Sequence, residues 1–124
     1  MTAVVFLLLL VGHLLGDWVL QSDWQATNKP QRWAALTAHV ASYHLAMGLL
    51  LLIPIVRDNW PAWKGLVILT VSAGTHAFVD RRWPVRALLR ATASPGFAAV
   101  EWGVIAVDQA LHLCILALLA VLLG

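Results

Sequence analysis

Four long apolar stretches constrain this chain more than any other feature of its sequence. They cover roughly residues 3–20, 34–56, 63–80 and 102–123. Each is close to the roughly 20 residues that an α-helix needs to cross about 30 Å of hydrocarbon. Because lipid offers the backbone no hydrogen-bond partners, such segments must be helical. The sequence therefore predicts an all-α polytopic membrane protein, a four-transmembrane-helix bundle that forms a single domain over residues 1–124.

The composition favours the same class of protein. Hydrophobic residues make up 61% of the 124 residues and charged residues 11%, with a mean hydropathy of +0.83. A soluble domain is closer to half apolar and about 25% charged. The net charge of +2 comes from basic residues beside the apolar stretches, a pattern of membrane topology and not of nucleic-acid binding. We therefore expect the chain to bind membrane lipids and not nucleic acid. The sequence is also compatible with a homo-oligomer.

The basic residues also predict the orientation of the bundle. The first and third connections carry six Lys and Arg residues, whereas the second and its flanks carry two. Because cytoplasmic loops are enriched in positive charge, both termini should lie outside a bacterial inner membrane. Trp60 and Trp63 would then mark the outer interface. Residues 85–91 are expected to form a short amphipathic turn on the cytoplasmic surface.

Histidine and aspartate residues gather in one half of the predicted bundle. Neighbouring spans run antiparallel, so the end of the first, the start of the second, the end of the third and the start of the fourth share one side of the membrane. The residues at these ends are His13, Asp17, His39, His44, His76, Asp80, Asp108 and His112. Ionisable groups inside a membrane are costly and normally face a partner, a cavity or a pathway.

The spacing of these residues suggests a metal site. His13/Asp17, His76/Asp80 and Asp108/His112 are each four residues apart, so each pair shares a helix face. Imidazole and carboxylate together suit zinc, with manganese or iron as alternatives. The candidate ligands of one or two divalent ions are His13, Asp17, His39, His76, Asp80, Asp108 and His112. His44 lies about 140° around the helix from His39, so the two do not easily face one point.

Two other interpretations of these pairs stay open. The pairs would act as structural staples if Asp–His hydrogen bonds fix the helix packing without metal. They would instead form a proton or ion relay if they line a transport pathway, as His and Asp chains do in pumps. Almost no polar residue lies between the cluster and the outer loop, which argues against a continuous path.

Several motifs resemble those of a family of small bacterial and phage integral membrane proteins of unknown function. The first is "GHLLGDWVLQSDWQATNK", which is similar to the family pattern H-x-x-G-D-[FW]-x-x-Q-[ST]-D-W. A histidine in the second span (His39), "HAFVD" (76–80) in the third and "DQALH" (108–112) in the fourth complete the resemblance. It covers essentially the whole chain and implies no activity, because the family has none established.

A looser resemblance of pattern, to membrane-bound metal-dependent hydrolases of bacterial inner membranes, favours hydrolysis of a lipid or lipid-linked ester or phosphoester. A bound metal would activate water, and a carboxylate not used as a ligand, Asp17 or Asp23, would act as general base. Arg81, Arg82 and Gln21 are the candidate substrate-binding residues. A transporter and a non-catalytic regulatory subunit with a structural His/Asp cluster are the competing functions.

Overall fold

The structure is a computed structural model that describes residues 1–92 and 95–124. Its helices are α1 (Thr2–Leu14), α2 (Asp23–Asn28), α3 (Trp33–Asp58), α4 (Ala62–Val79), α5 (Trp83–Ala91), α6 (Pro95–Ala99) and α7 (Glu101–Leu123). A π-helical turn, Leu15–Val19, extends α1. Four helices are long and apolar enough to cross a membrane: Thr2–Val19, α3, α4 and α7. The predicted all-α fold with four membrane helices is confirmed.

The four long helices form a closed ring of contacts. α1 packs against α3 and α7, and α4 packs against the same two helices. One half of the bundle is filled by apolar side chains, and the buried polar side chains lie in the other half. The apolar core consists of Val5, Leu9, Tyr43, Met47, Leu51, Trp60, Ile68, Leu116, Leu119 and Ala120. Trp60, expected to mark the outer interface, is buried at this end of the bundle, where its indole N–H donates to the carbonyl of Leu123.

The π-helical turn at the end of α1 directs one aspartate into the bundle. The Leu20 amide donates to the Leu15 carbonyl at 2.8 Å, one residue farther back than in an α-helix. Single π-turns of this kind widen the helix locally and are frequent at functional sites. As a result Asp17 is buried, whereas Trp18 beside it is 63% exposed.

The first connection contains a short helix, α2, that the sequence analysis did not predict. α2 begins with a capping box: the Ser22 hydroxyl accepts from the Gln25 amide, and the Gln25 side chain accepts from the Ser22 amide. The helix ends at Lys29, whose side chain is buried. Lys29 is therefore not simply a loop charge that marks the cytoplasmic side.

The expected surface turn at 85–91 is the longer helix α5. Its Val85 and Leu89 face the protein and are buried. Arg82 and Arg86 both pair with Glu101 at the start of α7. These contacts tie the surface helix to the end of the bundle that carries the buried polar residues.

Replacing Gly16 with Ala should destabilise the bundle. A Cβ at this position would lie 2.8 Å from Cγ and 3.1 Å from Cα of Tyr43. Overpacking of this kind typically costs about 1–3 kcal/mol. We expect Gly16→Ala to lower the thermal unfolding midpoint in detergent. Gly74→Ala is the matched control, because nothing lies within 4 Å of its added Cβ; an equal loss in both variants would contradict the prediction.

The charge asymmetry of the loops predicts which connections face the cytoplasm. Thr27 is exposed in the first connection, and Ala62 is exposed at the first residue of α4, next to the second connection. In a Cys114→Ser background, a membrane-impermeant maleimide added to intact cells should label Ala62→Cys and leave Thr27→Cys unlabelled. Inside-out vesicles should give the opposite pattern. Labelling of Thr27→Cys in intact cells would reverse the orientation.

Candidate metal centre

Four ligand atoms from two buried aspartates and two buried histidines converge near the polar end of the bundle. His39 Nε2 lies 2.9 Å from Asp17 Oδ1, 3.0 Å from His76 Nε2 and 3.3 Å from Asp80 Oδ2. His76 Nε2 lies 3.2 Å from Asp80 Oδ2 and 3.9 Å from Asp17 Oδ1. A tetrahedral ion with ligands at about 2.0–2.1 Å separates them by about 3.3 Å. The spacing therefore fits a single small ion.

Three segments of the fold bring these four side chains together. The π-turn presents Asp17 from the first span, and α3 presents His39 from the facing helix. His76 and Asp80 lie one turn apart at the carboxyl end of α4, where Asp80 is the C-cap. The spacing of four residues thus places both groups of that pair on the inward face of α4.

The four side chains direct their ligand atoms toward one point. Asp80 Oδ2 lies within 3.3 Å of both histidine Nε2 atoms and 3.1 Å from the Lys29 ammonium, whereas Asp80 Oδ1 is buried without a hydrogen-bond partner in the described residues. The two Nε2 atoms also face each other at 3.0 Å, and at most one of them needs to carry a proton there. Converging lone pairs of this kind are what a cation requires of its ligands.

The same cluster is contacted by Lys29, one of the basic residues from which the membrane topology was predicted. The Lys29 ammonium lies 3.1 Å from Asp80 Oδ2, 3.3 Å from His39 Nε2 and 3.4 Å from Asp17 Oδ1. In residues 1–92 and 95–124 no other lysine or arginine pairs with these carboxylates. The sequence signal available was the capping box of α2, which predicts that a helix begins at Asp23 and so carries Lys29 at its end.

Asp80 lies just beyond the third span and is held ionised. Burial alone would raise the pKa of its carboxyl group, but the close contact with His76 and the nearby charge of Lys29 lower that pKa to about 2. The carboxylate is therefore the form present at neutral pH. An ionised carboxylate is the form that binds a metal.

A second group of ligand atoms adjoins the first and shares Asp17 with it. One atom each of Asp17, Asp108 and His112 lies within 4.8 Å of the others. His112 Nδ1 donates to the backbone carbonyl of Asp108 at 2.8 Å, which leaves the lone pair on Nε2. That nitrogen and Asp108 Oδ1 are buried without a partner in the described residues.

Gln109 orients the carboxylates of both groups. Its Nε2 donates to Asp17 Oδ2 at 2.9 Å and to Asp108 Oδ2 at 3.2 Å. Because a carboxylate only accepts, these two bonds fix the orientation of the amide. Its Oε1 is then the acceptor for the indole N–H of Trp18 at 3.2 Å.

His13, a candidate ligand in the sequence, lies behind this amide and outside both groups. Its Nε2 donates to Gln109 Oε1 at 3.0 Å, so its Nδ1 accepts from the Tyr43 hydroxyl at 2.9 Å. Both ring nitrogens are thereby used. The structure gives His13 a supporting position, in which it holds Gln109 against the carboxylates.

The remaining candidates lie at the rim or away from the cluster. Gln21 donates to the backbone carbonyl of Asp17 at 3.0 Å. Asp23 is exposed in the first turn of α2 and makes no contact with the ligand atoms. His44 is held by the carbonyl of Val40 and the hydroxyl of Ser72, so it joins neither group.

The two arginines proposed for substrate binding differ in position. Arg82 lines the cavity described below, although its guanidinium pairs with Glu101. Arg81 stacks on the Trp33 ring at 3.7 Å and donates to the carbonyl of Pro30, away from the cluster. The structure therefore brings only Arg82 near the site.

A cavity of about 220 Å³ connects the cluster to the polar end of the bundle. Charged and amide side chains form its deep wall, and the exposed apolar residues Trp18 and Ile105 form part of its rim. The lining residues are Asp17, Trp18, Gln21, Ala26, Lys29, Asp80, Arg82, Ile105, Asp108 and Gln109. The ligand atoms are thus buried but reachable from one side.

Comparison with known proteins gives a family without an assigned activity. A family model described as "Protein of unknown function (DUF3307)" matches residues 5–124. No curated protein and no solved structure matches the chain. The resemblance to an uncharacterised family is confirmed, and the function has to be argued from the site.

Replacing Lys29 with Met should destabilise the metal-free protein. The variant leaves Asp17 and Asp80 buried without their cationic partner, and breaking a buried pair costs about 3–5 kcal/mol. We expect a large fall in the thermal unfolding midpoint in EDTA, with a larger recovery on adding Zn²⁺ than the wild type shows. Lys64→Met, which removes no ion pair in the described residues, is the control. Unchanged stability of Lys29→Met in EDTA would contradict the prediction.

Proposed function

We propose a hydrolytic function for this chain, which belongs to the DUF3307 family of proteins of unknown function. The substrate would be a lipid or lipid-linked ester or phosphoester, and the reaction would depend on a divalent metal ion. One observation carries the proposal: four buried ligand atoms that lie within 4.8 Å of one another adjoin a cavity of about 220 Å³.

The charge of the site supports a divalent cation. Asp17 and Asp80 pair with a single ammonium, Lys29, and the buried Asp108 pairs with no lysine or arginine in the described residues. With all three aspartates ionised the excess over Lys29 would be two negative charges, which one divalent ion would neutralise. Zinc suits the mixed imidazole and carboxylate ligands, and manganese or iron are alternatives. Such an ion would supply Lewis acidity and lower the pKa of water to about 7.

The residues of the cavity have separable roles in this reaction. The oxygen of water would form a bond to phosphorus or to a carbonyl carbon while the bond to the leaving oxygen breaks. One proton of the water would end on the leaving oxygen. Asp17, whose Oδ1 is one of the four ligand atoms, is not free to act as the base. Lys29 would hold an anionic oxygen of the substrate. Asp23 is too exposed to serve as the base, and Gln21 and Arg82 remain candidates at the rim.

The shape of the cavity supports an amphiphilic substrate. Its deep wall is polar, whereas Trp18 and Ile105 at the rim are exposed on the outside of the bundle, where lipid would lie. A headgroup would therefore reach the cluster while the acyl chains stay between these two side chains. From the distribution of basic residues we place this rim at the cytoplasmic leaflet of a bacterial inner membrane, with both termini outside.

A transport function has less support. Ions crossing the bundle need a polar path through its whole length. The buried side chains of the other half are apolar, from Val5 and Leu9 through Met47 to Leu116 and Leu119. The cavity therefore ends at the cluster in the part of the chain that the structure describes.

Metal analysis of purified protein tests the first half of the proposal. We expect at least one equivalent of zinc or manganese in the wild type and one ion fewer per chain in His76→Ala, because a ligand of the first group is lost. His44→Ala is the matched control, since this histidine lies outside both ligand groups. Metal at background in the wild type would remove the hydrolase proposal.

A hydrolysis assay tests the second half. The metal-loaded protein is incubated with vesicles containing phosphatidylglycerol or phosphatidic acid, and with a water-soluble phosphoester. We expect turnover of lipid, lost in His76→Ala and after chelation, and kept in His44→Ala. Stoichiometric metal with no turnover of any substrate would favour a non-catalytic subunit with a structural cluster.

A further inference from the structure

We propose that Asp17, Asp108 and His112 form a second metal site, so that the centre is binuclear and Asp17 bridges the two ions. This inference rests on the proposed metal-dependent function and deepens it. It names a second ion, the residues that bind it, and the class of substrate that the pair of ions favours.

The second group has free ligand atoms of its own. His112 is only 3% exposed, and its Nδ1 already donates to the Asp108 carbonyl, so Nε2 presents a lone pair. Asp108 Oδ1 is likewise buried without a partner among the described residues. A metal-binding histidine commonly has its other nitrogen bonded to a carbonyl in this way. Buried polar atoms normally have a partner, and a cation would supply one here.

Asp17 is placed to serve both ions. Its Oδ1 lies 2.9 Å from His39 Nε2 in the first group. Its Oδ2 accepts from Gln109 Nε2, which also donates to Asp108 Oδ2 in the second group. The two oxygens therefore point to different sides of the cluster. Paired metal ions in hydrolytic sites are typically about 3.5–4 Å apart, a distance that one carboxylate can bridge.

The two groups differ in the number of ligands that the protein provides. The first group supplies four, which is the number of a closed structural site. The second supplies three, which is typical of a catalytic site with an open position. Asp17 and Asp108 also line the cavity, so the open position would face the substrate.

Two ions change the charge of the site and thereby the preferred substrate. Three carboxylates and the Lys29 ammonium leave two negative charges. Two divalent ions would turn this excess into two positive charges. A phosphoester, which carries negative charge on the group to be attacked, compensates that excess, whereas a neutral carboxylic ester does not. The inferred substrate is therefore a lipid phosphoester.

Manganese titration of the full-length wild type in detergent tests the inference without a variant. We expect two Mn²⁺ per chain by elemental analysis. The electron paramagnetic resonance spectrum should show the spin coupling of a bridged pair. Two uncoupled ions would overturn the bridging by Asp17, and a single ion would overturn the second site.

Two variants with a matched control assign the ions to their groups. His112→Ala should retain one Mn²⁺ and lose the coupling, whereas His44→Ala should keep two coupled ions. If His112→Ala fails to fold, Asp108→Asn replaces it, because this substitution preserves side-chain size. Asp108→Asn should also retain one Mn²⁺ and lose the coupling. Two ions that survive in both His112→Ala and Asp108→Asn would contradict the second site at these residues but leave the proposed function intact. No ion in the wild type would contradict both.

Discussion

The need to compensate buried carboxylates governs the polar half of this bundle. Asp17, Asp80 and Asp108 lie within the packed helices, where the charge of each would be very unfavourable alone. The protein meets this cost with one lysine, with imidazoles and with the amide of Gln109. The compensation leaves buried oxygen and nitrogen atoms of Asp108 and His112 without a hydrogen-bond partner among the described residues, and these atoms are the basis of the proposed metal site.

The other architectural features follow from bringing those carboxylates to one place. The π-turn lets Asp17 enter the bundle, and Gly16 permits Tyr43 to pack against the turn. Tyr43 in turn donates to His13, which holds Gln109 against two aspartates. The π-turn at the end of α1 therefore determines, through packing and hydrogen bonds, where the side chains of the buried aspartates lie.

Much of the fold was predictable because the signals were long and regular. The apolar stretches located the four membrane helices, and antiparallel topology placed the histidines and aspartates in one half. The position of Lys29 was not predictable from its charge, since basic residues beside a span usually mark topology. Nor did the spacing of His13 and Asp17 reveal that only the aspartate joins the ligand atoms, because that depends on the π-turn and on Gln109.

The apolar half of the bundle also has a kinetic consequence. Because Leu9, Met47, Ile68 and Leu116 pack behind the cluster, the cavity does not continue into the apolar half among the described residues. A molecule that reaches the buried aspartates and histidines from the polar end would leave toward the same end. Arrival of one molecule and departure of another would therefore compete with each other.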